Sequence, residues 1–121
     1  MTTTAIRRVV DLDPGDLGID ITSAEGGAGI PVISITGEID AATAPRLTAC
    51  FRAVTAGRPS SITVDLTDVG FMDSSGVNAI VDLCTHAAAW AGTVVVTGAA
   101  ANVRRVCDIT QIEDTEGLVL R

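Results

Sequence analysis

The run Asp65-Leu66-Thr67-Asp68-Val69-Gly70-Phe71-Met72-Asp73-Ser74-Ser75-Gly76-Val77 concentrates the chemistry this chain offers. Asp73, Ser74 and Ser75 all have side chains that accept hydrogen bonds from the free amides of a helix's first turn, a contribution of roughly 0.5–2 kcal/mol. One reading stops there and makes them caps. The other starts from the excess: two hydroxyls and a carboxylate exceed what one cap needs, and Gly76 removes a side chain where a partner could approach the backbone. A serine at such a position suits phosphorylation. The ester adds about 1.5–2 negative charges where free amides and the helix dipole tolerate an anion, so the fold survives while a docking partner feels the charge. Asp40, Asp68 and Asp73 would add repulsion against an acidic partner surface or hold a hydroxyl in place. Direct anion binding at the same helix start finds no Lys or Arg in the segment to support it. Phe71 and Met72, the bulky residues here, read either as buried lining beneath the helix start or as anchors for a partner.

Catalytic arrangements are weak. Ser74 and His86 lie twelve positions apart on one expected helix, roughly 18 Å of rise, too far for a nucleophile and its base. Asp40 and Asp73 read as an acid pair or, more plainly, as a cap and a solvated loop residue. The chain has no G-x-S-x-G elbow, no GxxxxGK[ST] phosphate loop and no H-x-x-x-H arrangement. Cys50, Cys84 and Cys107 are odd in number, far apart and set in apolar helical patterns. They read as reduced core residues of a cytosolic protein, not as metal or redox ligands. His86 reads as a surface helix residue. We therefore expect no enzyme activity, no metal and no cofactor.

Charge narrows the partners. Fifteen acidic residues against eight basic ones give a formal charge of −7, which repels phosphodiester backbones and anionic lipid and suits a basic or mixed protein surface. No nucleic acid and no membrane are expected. The N-terminus has no apolar run after Met-Thr-Thr-Thr, and the apolar stretch 87–103 is broken by Gly92, Thr93, Thr97, Gly98 and Asn102. The expected location is cytoplasmic.

The elements that must position the serine follow from periodicity. The 121 residues fit one domain. Residues 1–16 are expected to be flexible or to pack along an edge. Residues 17–22 and 32–36 alternate as two half-buried strands joined through the glycine-rich run 25–29, an opening β-hairpin. Thr43 can cap and Pro45 can enter a helix whose Leu47, Cys50, Phe51 and Val54 recur at helical spacing, with Gly57 and Pro59 stopping it. Ile62, Val64 and Leu66 make a third strand, and from Asp65 a polar loop leads to Ser74. The next helix carries Val77, Ile80, Val81, Cys84, Ala87, Ala88 and Ala91 on one side, with Asn78, Asp82, Thr85 and His86 nearer the other, and Gly92 as its C-terminal glycine. The Val-rich run 93–97 reads as an interior strand covered on both faces. A short helix at 100–107, ending in an Arg104–Asp108 pair, and a last edge strand at 118–120 follow. The class is α/β: a four- to five-stranded mixed sheet flanked by helices.

At these residues the chain resembles the STAS domain family, and within it the free-standing bacterial anti-sigma factor antagonists. The match rests on Thr36-Gly37-Glu38-Ile39-Asp40, on the F-M-D-S-S-G string in 65–77, and on Ala101-Asn102-Val103-Arg104-Arg105-Val106. It covers about residues 17–120, making 17–121 a STAS domain. The resemblance implies phosphorylation of Ser74 by a partner that is both anti-sigma factor and serine kinase. The unphosphorylated form binds that partner and frees the sigma factor; the phosphorylated form lets go, and a serine phosphatase resets it. It also implies that Asp40 lies near the site and that Phe71, Met72, Asp73, Ser74, Ser75, Gly76 and Asn78 supply docking. The short acidic segment after Asp108 implies an absent or abbreviated last helix. The alternative is a STAS module binding another partner or ligand without a serine cycle.

Overall fold

The computed structural model describes residues 4–7, 17–24 and 30–121. Six strands make one sheet in chain order: β1 (Thr4–Arg7), β2 (Leu17–Ala24), β3 (Val32–Ile39), β4 (Ser61–Met72), β5 (Thr93–Thr97) and β6 (Leu118–Leu120). β1/β2 and β2/β3 pair antiparallel, and β3/β4, β4/β5 and β5/β6 pair parallel. The class is the expected α/β mixed sheet, and β2 and β3 form the expected antiparallel pair. The sheet has six strands because Thr4–Arg7 adds to the edge beyond β2. Residues 1–3 and 8–16, and the expected hairpin connection at 25–29, lie outside the described residues.

Three helices carry the parallel crossovers: α1 (Ala44–Thr55), α2 (Ser74–Ala87) and α3 (Ala101–Ile109). Parallel strands that advance steadily across a sheet through right-handed crossovers set every connecting helix on the same face. Burial agrees. Ile33, Ile35, Ile39, Ile62, Val64, Leu66, Val94 and Val96 join Leu47, Phe51, Ile80, Leu83, Val103 and Cys107 in one core. The alternate residues Ser34, Thr63, Asp65 and Val95 are only half-buried, and Val119 is exposed. This corrects the expectation that β5 is covered on both faces; its neighbours are β4 and β6, but helices cover one side.

Beyond Leu66 the chain was expected to leave the sheet, yet β4 runs on to Met72. Its pairing with β3 shifts twice, from Ser34↔Asp65 to Thr36↔Asp68 and from Gly37↔Val69 to Glu38↔Phe71. Each shift places one extra residue on β4, a bulge that breaks the two-residue period and turns Val69 and then Met72 inward. The polar appearance of this stretch came from bulged strand, not loop.

The helix ends also differ from expectation. Arg58 (φ 50°) and Ala91 (φ 59°), not Gly57 and Gly92, take the left-handed conformation. Gly92 is required for room: a Cβ there would stand 2.9 Å from Trp90 Nε1 and 3.1 Å from Ala87 Cβ. The inward face of α2 includes Ala79 and Leu83, while Ala88 and Ala91 are exposed in and after a single 3-10 turn at Ala88–Trp90. After α3 the chain makes one 3-10 turn, Ile112–Asp114, and then β6.

Candidate functional site

Two turns meet at the carboxyl ends of β3 and β4. After β3, the Asp40 carboxylate Oδ1 accepts the amides of Ala42 at 2.9 Å and Thr43 at 3.0 Å. Both amides precede α1, and the hydroxyl of Thr43, the N-cap residue, makes no capping bond to the helix, against expectation. After β4, Asp73 has extended backbone and is the N-cap of α2; its Oδ1 accepts the Ser75 amide at 2.8 Å. The Asp73 amide donates to the Ile39 carbonyl at 3.1 Å and ties the turns together. Asp40 and Ser74 each follow a member of that bonded pair.

With Asp73 supplying the cap, neither serine is needed for it. Ser74 is exposed, and its hydroxyl makes no hydrogen bond to any described residue. Ser75 is half-buried and lines a shallow groove of about 300 Å³ between the first turns of α1 and α2. Ala41, Ala44, Pro45 and Thr48 form one wall and Ser75, Asn78, Ala79 and Asp82 the other. Asn78 is exposed on that wall. The groove was not legible in the sequence, because it depends on how α1 packs beside α2; the small residues Ala41, Ala44 and Ala79 were its only trace.

Two expected contact residues face inward. Met72 is only 2% exposed whereas Phe71 is 45% exposed, so the adjacent pair divides into a core residue and a surface one. Gly76 is buried too. A Cβ on it would lie 2.5 Å from Met72 Cγ and 2.8 Å from Ile39 Cγ2, so its glycine admits the helix to the core and opens no surface to a partner. Met72 and Gly76 are therefore corrected to support beneath the site.

Asp40 and Asp73 are held by turn amides, and no hydrogen bond joins their carboxylates. His86 sits near the far end of α2, its Nδ1 2.9 Å from the Asp82 carbonyl oxygen and 3.7 Å from Asp82 Oδ2. Arg52 reaches the same carboxylate at 3.6 Å. The Arg104–Asp108 pair spans 3.6 Å on the surface. Cys50, Cys84 and Cys107 are buried free thiols, and burial pushes Cys84 up to about 11. Among the described residues no helix is long and apolar enough to cross a membrane. Asn102 Nδ2 donates to the Gly70 carbonyl at 2.8 Å, pinning α3 to the second bulge beside Phe71.

The STAS domain model matches residues 22–120. Among curated proteins, none matches the chain. An anti-sigma factor antagonist from Mycobacterium paratuberculosis is 29% identical, with 88% of each chain covered and a TM-score of 0.71. The anti-sigma factor antagonist SpoIIAA in its unphosphorylated form is 19% identical, covering 97% of this chain and 88% of that one, with a TM-score of 0.65. The Bacillus cell fate determinant SpoIIAA in its phosphorylated form is also 19% identical, covering 97% and 91%, with a TM-score of 0.58. The family match spans most of the chain, including both turns and Ser74. This protein belongs to the STAS domain family.

Proposed function

We propose that this protein is an anti-sigma factor antagonist. Unphosphorylated, it binds an anti-sigma factor that is also a serine kinase; phosphorylated on Ser74, it is released, and a serine phosphatase resets it. It acts in the cytoplasm and has no catalysis of its own. The observation that carries this reading is the exposed hydroxyl of Ser74, unbonded to any described residue, at the first position of α2, a helix already capped by Asp73. A phosphate there meets the positive end of the helix dipole and leaves the cap in place, so the scaffold tolerates it. A partner seated across Ser74 and the adjoining groove instead meets a new double charge. Asp40, Phe71, Asp73, Ser75 and Asn78 surround that seat, with Met72 and Gly76 supporting it from within. The 29% identity to a mycobacterial antagonist supports the same reading.

The test incubates the protein with each anti-sigma kinase of its source organism and ATP, then maps the modification by intact mass and peptide analysis. One phosphate on Ser74 is expected. S74A binds the kinase without modification, and S74D binds at least about tenfold more weakly, a cost of about 1.4 kcal/mol or more. Absence of modification with every kinase, or modification elsewhere, overturns the proposal. Tight binding indifferent to S74D would instead support a module without a serine cycle.

A further inference from the structure

We infer that Thr43 is a positioning residue for kinase docking, acting through the carboxylate of Asp40; this rests on the reading of Ser74 as the phosphorylated residue. Thr43 is 2% exposed, the more deeply buried of the two buried polar residues among those described. Its hydroxyl donates to the Glu38 carbonyl at 2.9 Å and accepts the Asp40 amide at 2.9 Å, while its own amide donates to Asp40 Oδ1 at 3.0 Å. The turn is thus clamped from both sides of Asp40. A threonine at the N-cap position of a helix ordinarily spends its hydroxyl on the helix; this one spends it on the Glu38 carbonyl and on Asp40 itself.

The clamp leaves Asp40 half engaged. Oδ1 accepts two turn amides and lies 3.2 Å from the Thr43 hydroxyl, and Oδ2 makes no hydrogen bond to any described residue. Because the Asp73 amide bonds the Ile39 carbonyl, the fixed carboxylate is also fixed relative to the Ser74 turn. An acceptor held in place offers a basic or amide group on the kinase a bond without the entropy of ordering it at the moment of binding. Thr43 never touches the kinase in this scheme. Its hydroxyl determines how well the neighbouring charge is aimed.

The probe is the anti-sigma kinase that phosphorylates wild-type Ser74, and the readout is KM and kcat for that phosphorylation. T43V is expected to raise KM about five- to tenfold with kcat within about twofold. T43A, which removes the same hydroxyl with less bulk, does the same. T43S keeps the hydroxyl and stays within about twofold of wild type. D40N retains an oxygen for the turn amides but lacks the charge, and adding T43V to it changes KM by less than about twofold. V103A, a core change in α3, lowers stability without moving KM. The inference is overturned if T43V and T43A keep the wild-type KM, if T43V and D40N multiply, or if V103A raises KM as T43V does. If wild type takes no phosphate on Ser74, the functional reading falls and this inference with it. Normal wild-type phosphorylation with unaffected Thr43 variants removes the inference alone.

Discussion

The backbone amide of Asp73 donates to the carbonyl of Ile39 across 3.1 Å, joining the end of β4 to the end of β3. Parallel strands finish at the same edge of a sheet, so the turns that follow them become neighbours. This bond holds in one arrangement the two turns that carry Asp40 and Ser74.

Asp73→Ala removes the acceptor of the Ser75 amide, a 2.8 Å bond at the start of α2. The expected loss is about 1 kcal/mol, measurable by urea denaturation. Amide hydrogen exchange should quicken first at Ser75 and then in the following turn.

Gly76→Ala tests whether the site is seated on the core. The added carbon would meet Met72 Cγ at 2.5 Å and Met72 Sδ and Ile39 Cγ2 at 2.8 Å, so a core side chain or α2 must shift. A loss of about 1–3 kcal/mol is expected, with a lowered urea midpoint and an unchanged slope.

Phe71 and Met72 should separate docking from folding. Met72→Ala empties a core position and should cost about 2–5 kcal/mol in stability. Phe71→Ala should leave stability within about 0.5 kcal/mol, while affinity for the kinase falls by about 1 kcal/mol or more. Calorimetric melting and titration of the two variants report the contrast.

Burial raises the Cys84 thiol from its ordinary value of 9.0 to about 11. Cys107 moves the same way, through burial and then the charge of Asp108. The folded state therefore keeps these protons after the unfolded chain has released its own. Their stabilising contribution is complete below the ordinary thiol range and is lost as pH rises, for Cys84 through the interval from 9.0 to about 11. Urea titrations across that interval should show stability falling, with a shallower fall in C84A. Near neutral pH, thiol reagents should label the native protein far more slowly than the unfolded one.

Much of this was legible along the chain. Leu47, Cys50 and Phe51 recur at helical spacing and do face the core, and the alternation in β2 and β3 marks their buried sides. The cluster Asp73-Ser74-Ser75 marked a helix start, which is where α2 begins. Other features were hidden for specific reasons. Two bulges erased the period of β4 after Leu66. Left-handed turns fell on Arg58 and Ala91, beside the glycines that composition favoured.

Residue type and local spacing determined the α/β class, the inward face of α1 and the presence of a hydroxyl at the head of α2, because those properties arise from contacts within a few residues. Tertiary packing decided which of Phe71 and Met72 meets solvent, why Gly76 has no side chain, and that the turn after Ile39 is tied to the turn at Asp73. Those outcomes depend on segments more than thirty positions apart being brought together by strand pairing, and no local pattern encodes that geometry.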